Sequence, residues 1–177
     1  IKDVNTELRL HDLTGFNGRC DAIYFTTEEG AVPPSDVAAL EKFRREKLNL
    51  PAEAPLTGEY DLVVVGAGIA GMSAAVSAAR LGCKVALLND RPVGGNSSSE
   101  IRVHLGGRIE AGPYKELGNL QKEFGPTRGG NAQPADYYED QKKMDWLLKE
   151  KNVSLFTNYR AIAVEKEGDR ITAVIAK

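Results

Sequence analysis

The 177-residue chain has little of what several protein classes need. Two cysteines and two histidines are too few for a zinc site of cysteine and histidine ligands or for a disulfide framework. The 23 basic and 25 acidic side chains give a formal net charge of −2, which offers no general reason to expect a nucleic-acid partner. We therefore expect no metal site and no nucleic-acid binding.

Long apolar runs are also missing from the sequence. No run approaches the length of a membrane helix, and the first residues lack the charged and apolar regions of a signal peptide. We expect a soluble protein without a membrane span. Because the sequence begins with Ile1 rather than methionine, its compartment stays open: cytoplasmic, or exported to a bacterial periplasm if a leader has been removed. The thiols of Cys20 and Cys83 are expected to be separate and reduced, since no C-x-x-C pair is present.

What the sequence does contain is a glycine-rich motif between two apolar segments. Residues 62–65 form an unbroken apolar run, which is typical of a parallel strand buried on both faces. A helix is predicted over residues 69–81, with Gly82 as its C-cap, and a second buried strand over residues 85–88. The pattern predicts a strand–helix–strand unit.

The glycines of this unit have the G-x-G-x-x-G spacing. Gly66 suits the tight turn, Gly68 lets the backbone approach a pyrophosphate, and Gly71 lets helix and strand pack closely. The N–H groups and dipole at the start of the helix favour an anion without a basic side chain. The candidate phosphate-binding residues are Gly66, Ala67, Gly68, Ile69, Ala70 and Gly71.

The position for the ribose contact is ambiguous. An acidic residue is expected about 20 residues after the motif, but Asn89 stands at the end of the second strand and Asp90 follows it. Either side chain can accept a hydrogen bond from a ribose hydroxyl. Arg91 can instead accommodate the 2′-phosphate of NADP, or it is an exposed loop arginine.

The segment after Arg91 favours a flavin over a nicotinamide. Its proline, two glycines and polar run can surround phosphates and ribitol with backbone amides and hydroxyls. Here the chain resembles the FAD-dependent oxidoreductases with a Rossmann fold of the glutathione-reductase type. The chain is more similar still to one group of these oxidoreductases, whose members contain Asp-Arg-Pro, then Gly-Gly-Asn, then Ser-Ser-Glu-Ile-Arg. The resemblance is specific over residues 60–107 and looser beyond them.

The resemblance implies a set of cofactor contacts. The glycine motif would bind the FAD pyrophosphate and Asn89 or Asp90 the adenosine ribose, and the backbone near Ala161 would pass the adenine. The rest of FAD would lie against Gly94, Gly95, Asn96, Ser97 and Ser98. Ser97 stands where relatives with covalently attached FAD have a histidine, so the resemblance implies non-covalent FAD.

Candidate catalytic residues follow this segment. Glu100, Arg102 and His104 occupy alternate positions, so in an extended segment all three would project from one face. Histidine titrates near neutral pH, and arginine can bind a substrate carboxylate or stabilise a reduced, anionic flavin. Arg102 and His104 are therefore the catalytic candidates, with a purely structural role as the alternative. His11 is expected to be structural.

The expected fold is α/β: a Rossmann-like FAD- or NAD(P)-binding parallel sheet with flanking helices, preceded by a short β-hairpin. Residues 1–30 are predicted to be that hairpin, with strands at residues 7–10 and 22–26 and a turn at residues 15–18. The resemblance implies that it ends an upstream β-sandwich. Residues 31–58 would be a linker and a helix capped by Ser35, and residues 59–177 the FAD-binding domain, which is too short to be complete.

The C-terminal part is predicted as alternating helices, loops and strands. The expected elements are a helix at residues 115–124, a loop at 127–136 that is a lid or disordered, a helix at 137–151, a strand at 153–158, and a hairpin of residues 161–164 and 171–175.

Three functions are compatible with these features. The first is the FAD-binding part of an oxidoreductase acting on an unidentified small molecule, completed by the remainder of the same polypeptide or by a second chain. The second is an NAD(P)-dependent reductase or dehydrogenase, which Arg91 favours and the di-glycine segment disfavours. The third is a non-catalytic nucleotide-binding module.

Overall fold

The computed structural model describes residues 7–11, 13, 22–51, 53–107 and 111–177. The chain divides into two units, residues 1–53 and 54–177. The elements are helices α1 (Val37–Lys47), α2 (Ile69–Arg80), α3 (Leu117–Phe124) and α4 (Asp140–Leu148), and strands β1 (Leu62–Val65), β2 (Val85–Asn89), β3 (Val153–Thr157), β4 (Ala161–Glu167) and β5 (Arg170–Ala176). Short 3-10 helices cover Gly95–Ser97 and Ala135–Tyr138.

The second unit is built on a three-stranded parallel sheet in the order β1-β2-β3. β2 lies in the middle and is buried along its whole length, which explains why its five residues contain no charge. Val64 pairs with Leu87, and Leu87 pairs with Leu155. The predicted α/β fold with a parallel sheet and flanking helices is confirmed.

Helix α2 packs on the sheet through small and apolar residues. Met72, Ala75, Val76 and Ala79 are buried, which leaves room for the helix to approach the strands closely. α3 and α4 extend this core with Phe124, Trp146 and Leu147. The rings of Phe124 and Trp146 lie 4.6 Å apart between centroids, so aromatic packing joins the two helices.

An ion-pair network at the surface ties the end of α2 to α3 and to the turn after α4. Arg80 bonds to Glu123 at 2.7 Å and to Glu150 at 2.7 Å. Trp146 Nε1 also donates to Glu123 at 2.8 Å. The Arg80 hydrogen bond, followed by that of Trp146, lowers the pKa of Glu123 to about 2. Glu123 therefore stays ionised at neutral pH and supports the packing of the three helices.

The second C-terminal helix is shorter than predicted and is interrupted. Instead of one helix over residues 137–151, a 3-10 helix ends at Tyr138 and α4 begins at Asp140. Glu139 between them has a left-handed backbone with φ of 46°, and its carboxylate accepts a hydrogen bond from the Thr127 hydroxyl at 2.5 Å. Thr127 lies 12 positions earlier in the sequence, so the local sequence pattern does not indicate this contact at the break between the two helices.

The chain ends in an antiparallel hairpin of β4 and β5. Both strands are longer than predicted, and the turn between them contains Gly168 with φ of 59°. In the described residues, no helix has the combined length and apolar character required to cross a bilayer.

In the first unit, α1 begins one residue later than its sequence predicts. Its N-cap is Asp36, whose side chain accepts a hydrogen bond from the Ala39 amide at 2.9 Å, rather than Ser35. Aspartate competes well for this position because its carboxylate also complements the helix dipole. Residues 7–10 and 22–26 are not in strands, so the two predicted hairpin strands were wrong. The predicted turn at residues 15–18 and Cys20 lie outside the described residues.

Candidate cofactor-binding site

The glycine-rich turn leaves the start of α2 open. β1 ends at Val65, Gly66 makes the turn with φ of 94°, and Gly68 is the N-cap of α2. No side chain caps the helix, although the first four N–H groups of a helix have no partner within it. The amides at Ile69 and Ala70 are therefore available to an anion, which the helix dipole favours.

Close packing of α2 against the end of β1 explains why residue 71 is a glycine. A Cβ on Gly71 would lie 1.9 Å from the carbonyl oxygen of Gly66, a distance no side chain tolerates. Glycine at this position lets α2 begin directly against the end of β1. At Gly68, by contrast, a Cβ would meet nothing closer than 4.0 Å, so the space in front of that residue is open.

The di-glycine segment lies directly against the glycine-rich turn. The Gly94 amide donates to the Ala67 carbonyl at 2.7 Å, and Gly94 pairs with Gly68 in an isolated parallel bridge. A Cβ on Gly95 would lie 3.0 Å from the Gly68 Cα. The structure thus brings the two predicted glycine segments together into one surface bounded by backbone.

The polar residues after the di-glycine turn differ in their placement. Asn96 is exposed, whereas Ser97 and Ser98 are buried. The Ser98 hydroxyl accepts a hydrogen bond from the Glu100 amide at 3.3 Å, and its carbonyl accepts from the Arg102 amide at 2.8 Å. Ser98 therefore stabilises the turn through its own hydrogen bonds, and its contact with the cofactor stays a prediction.

Both polar atoms of the Asn89 side chain make hydrogen bonds within the protein. Asn89 is buried, its Oδ1 accepts from the Ala67 amide at 2.9 Å, and its Nδ2 donates to the Arg91 carbonyl. The side chain thereby braces the glycine-rich turn from below. Of the two ribose candidates, Asp90 is the one whose carboxylate is free of bonds to that turn.

Asp90 borders an open cleft at the carboxyl ends of the three parallel strands. The cleft measures about 210 Å³ and is lined by Val65, Gly66, Leu88, Asn89, Asp90, Tyr159, Arg160 and Ala161. Ligands of open parallel sheets bind at this edge. Ala161 lines the same cleft as Asp90, and its contact with an adenine stays a prediction.

Tyr159 and Arg160 belong to the cleft but were missed in the sequence. They follow β3, which pairs with β2, so their place in the sheet was the signal that could have found them. Arg160 Nε donates to the Asp90 carboxylate at 2.8 Å, and this hydrogen bond lowers the pKa of Asp90. An ionised carboxylate is a strong acceptor for hydroxyl groups.

The catalytic candidates do not share one extended face, and that prediction was wrong. Arg102 has a left-handed backbone with φ of 64°, which breaks the alternation on which the prediction depended. The Arg102 guanidinium donates to the Ser99 carbonyl at 2.9 Å. His104 lies against the following loop, where a Cβ on Gly129 would be 2.7 Å from its Cε1.

The loop of residues 127–136 is bonded to this same segment. The Ala132 amide donates to the Arg102 carbonyl at 2.9 Å, and the His104 amide donates to Asn131 Oδ1 at 2.6 Å. The loop is therefore held against the segment that follows the di-glycine turn, and its predicted role as a lid stays a prediction. In the described part of the chain, no group of three histidine, cysteine, aspartate or glutamate side chains is placed to hold a metal ion.

These features match the needs of an adenine dinucleotide. An uncapped helix start and two apposed glycine segments suit a pyrophosphate, and an ionised carboxylate beside an open cleft suits a ribose. The residues present thus fit FAD.

Comparison with known proteins agrees with this fit. Residues 61–177 match the model of the family described as FAD dependent oxidoreductase. A tRNA uridine 5-carboxymethylaminomethyl modification enzyme MnmG 1 of Fusobacterium nucleatum is 38% identical over 118 residues, which cover 55% of this chain and 18% of that protein. MnmG of Clostridium botulinum strain Okra is 30% identical over 140 residues, covering 69% and 22% of the two chains.

A solved structure shares the fold. The 3-ketosteroid-delta4-(5alpha)-dehydrogenase of Rhodococcus jostii RHA1 aligns with a TM-score of 0.50 at 17% identity, over 71% of this chain and 43% of that one. The chain spans about a fifth of the length of the curated relatives it matches. Their names describe modification of tRNA, so they do not support our expectation of no nucleic-acid partner. Because the family model matches residues 61–177, which are more than half of the sequence, the chain belongs to the FAD dependent oxidoreductase family.

Proposed function

We propose that this chain is the FAD-binding part of a flavoenzyme that oxidises or reduces an unidentified small molecule by hydride or electron transfer through non-covalent FAD. The observation that carries the proposal is the open start of α2 beside the cleft at Asp90. When bound, FAD supplies the redox chemistry, while the protein orients it and excludes water.

The residues of the site have distinct roles in this proposal. The amides from Gly66 to Gly71 bind the pyrophosphate, and the Asp90 carboxylate accepts hydrogen bonds from the adenosine ribose. Tyr159 and Ala161 form the wall of the cleft that faces the adenine. Gly94, Gly95 and Asn96 border the rest of the cofactor, while Asn89, Ser97 and Ser98 hold the surrounding backbone in place.

Arg102 and His104 are the proposed catalytic residues. Both side chains are exposed on the segment that follows the di-glycine turn. Arg102 is suited to stabilise negative charge on a substrate or a reduced cofactor, and His104 to donate or accept a proton. The remaining walls of the substrate site come from the rest of the polypeptide or from a second chain, because this chain spans about a fifth of its curated relatives.

An NADP site and a tRNA substrate are the two alternatives to this proposal. An NADP site is favoured by Arg91, which is exposed next to Asp90. A tRNA substrate is favoured by the names of the curated relatives, and opposed by the net charge of −2, because phosphate contacts require a basic surface.

The proposal is tested with purified protein titrated separately with FAD, NADPH and a tRNA pool. We expect FAD to bind, to show the visible absorbance of oxidised flavin, and to be released intact by acid denaturation because it is non-covalent. Tight binding of NADPH without FAD binding would establish the NADP alternative. FAD binding without turnover of any electron donor in the complete protein would establish a non-catalytic module, and saturable tRNA binding would replace the small-molecule substrate.

A further inference from the structure

Three residues at the junction of the second 3-10 helix and α4 contact the di-glycine turn and the residues after it. Tyr138, Asp140 and Lys143, which we name the anchor residues, contact the segment of residues 94–102 at three points. They lie about 40 positions downstream of that segment. Nothing in their local sequence pattern, which is that of an amphipathic helix, indicates this contact.

Lys143 supports the di-glycine turn from below. It is completely buried, and its Nζ donates to the Tyr138 carbonyl and to Asp140 Oδ1, the latter at 3.0 Å. A Cβ on Gly94 would lie 3.0 Å from both Cδ and Cε of this lysine. The aliphatic part of Lys143 is thus the floor on which Gly94 rests, while its charge is neutralised within α4.

Asp140 and Tyr138 hold the far part of the same segment. The Asp140 carboxylate accepts from the Ser99 amide at 3.0 Å and from the Ser99 hydroxyl at 2.5 Å. The Tyr138 hydroxyl donates to the Arg102 carbonyl at 2.6 Å. Three successive parts of the segment are therefore attached to residues 138–143, which include the end of the 3-10 helix and the first turn of α4, and Asp140 is bonded to both the segment and Lys143.

We infer that the anchor residues are positioning residues for FAD: they hold residues 94–99 in the conformation that receives the part of the cofactor beyond the adenosine. The inference deepens the proposed function and rests on it. Preorganisation of this kind raises affinity because the loop loses no further conformational freedom on binding. The cleft at Asp90 is lined by none of the anchor residues, whereas residues 94 and 95 of the anchored segment contact the glycine motif. Binding of the adenosine end therefore depends less on the anchor contacts than binding of whole FAD does.

The test compares Lys143→Met with Lys142→Met. Methionine keeps the buried aliphatic volume of Lys143 and removes the bonds to Tyr138 and Asp140. Lys142 is the matched control, because its Nζ bonds to Gly125 and Glu139 and does not contact residues 94–102. For each variant and the wild type, the dissociation constants of FAD and of AMP are measured, together with hydrogen exchange of the amides of residues 95–99 without ligand.

We expect Lys143→Met to weaken FAD binding about tenfold, to leave AMP binding within about twofold of the wild type, and to speed exchange at residues 95–99. Lys142→Met should change none of these. Equal losses for FAD and AMP would show a general structural role and overturn the inference, as would unchanged FAD binding. If Lys143→Met does not fold, Ser99→Ala, which removes only the hydroxyl bond to Asp140, decides by the same FAD-to-AMP comparison.

The two proposals fail in different ways. A wild type that binds AMP and not FAD defeats the proposed function together with the inference. A wild type that binds FAD, with a Lys143→Met variant that binds it equally well, defeats the inference alone.

Discussion

The side-chain Oδ1 of Asn89 accepts a hydrogen bond from the backbone amide of Ala67 at 2.9 Å, across 22 positions of sequence. The last residue of β2 therefore fixes the turn between β1 and α2. Since the other end of the same amide donates to the Arg91 carbonyl, both polar atoms of Asn89 are used within the protein. In the proposed FAD site, we therefore assign the ribose contact to Asp90.

Replacing Asn89 should destabilise the protein even when the new side chain keeps a hydrogen-bond acceptor. In Asn89→Asp, the carboxylate can still accept from Ala67 but cannot donate to Arg91, whose carbonyl it would repel. We expect a loss of about 1–3 kcal/mol in the free energy of unfolding, measured by chemical denaturation. Asn96→Asp, at an exposed asparagine of the following turn, should cost less than about 0.5 kcal/mol. Equal stability of Asn89→Asp and the wild type would contradict the bracing role.

Gly71→Ala should disrupt the contact between α2 and β1. Because its Cβ would lie 1.9 Å from the Gly66 carbonyl oxygen, the helix start must move, and we expect a loss of about 3 kcal/mol or more. The control is Gly106→Ala, where a Cβ has no atom within 4 Å. Thermal unfolding of both variants provides the measurement, and a Gly71→Ala variant as stable as Gly106→Ala would be inconsistent with the close approach.

The Glu123 network predicts a stability change at acidic pH. The pKa of Glu123 is about 2 in the folded protein, below the ordinary value of 4.5, so folding favours the ionised form of this side chain. That stabilisation is complete above pH 4.5 and is lost as the pH falls from there towards about 2. We expect Glu123→Gln to be about 1 kcal/mol less stable than the wild type at neutral pH.

The difference between Glu123→Gln and the wild type should therefore shrink as the pH falls through that window. Denaturation curves recorded at several pH values measure it. A difference that stays constant from neutral to strongly acidic pH would show that the charge of Glu123 does not act through Arg80 and Trp146.

Substitutions at Asp90 and Arg160 distinguish the role of the Asp90 carboxylate in FAD binding from that of its ion pair with Arg160. Asp90→Asn removes the charge that accepts the ribose hydroxyls, and we expect about a tenfold loss of FAD affinity. The ion pair itself is worth at most about 1 kcal/mol, because 65% of the Arg160 side chain and 34% of the Asp90 side chain are exposed. Arg160→Gln, which breaks the pair and keeps the carboxylate, should retain FAD binding. Isothermal titration distinguishes the two, and equal losses in both variants would argue that the pair, not the carboxylate, holds the cofactor.

Local sequence patterns predicted the elements around the glycine motif closely. The bounds of β1 agree with the prediction, and α2 ends within one residue of its predicted end. These elements are defined by short apolar runs and by glycine spacing, which act over a few neighbouring residues. The approach of the di-glycine segment to the motif agrees with the resemblance, which implies that both segments contact FAD.

Contacts between distant residues could not be predicted in this way. The bond of Asn89 to Ala67, the break at Glu139 and the contact of Lys143 with Gly94 involve partners 22, 12 and 49 positions away, respectively. Arg102 adopts a left-handed backbone conformation, although the alternating spacing of polar side chains around it predicted an extended backbone. Tertiary hydrogen bonds from Tyr138 and Ala132 to its carbonyl accompany this conformation, and no local propensity indicates them.

The most direct test of the central claim is an FAD titration of the wild type beside Gly68→Ala. Alanine suits the backbone of residue 68, whose φ is −68°, and its Cβ would meet nothing closer than 4.0 Å, so unfolding should match the wild type. The methyl group would occupy the space that the pyrophosphate needs. We predict that the wild type binds FAD and that Gly68→Ala binds it at least about tenfold more weakly. Equal affinity in the two proteins, or no binding in the wild type, would contradict a cofactor seated at the start of α2.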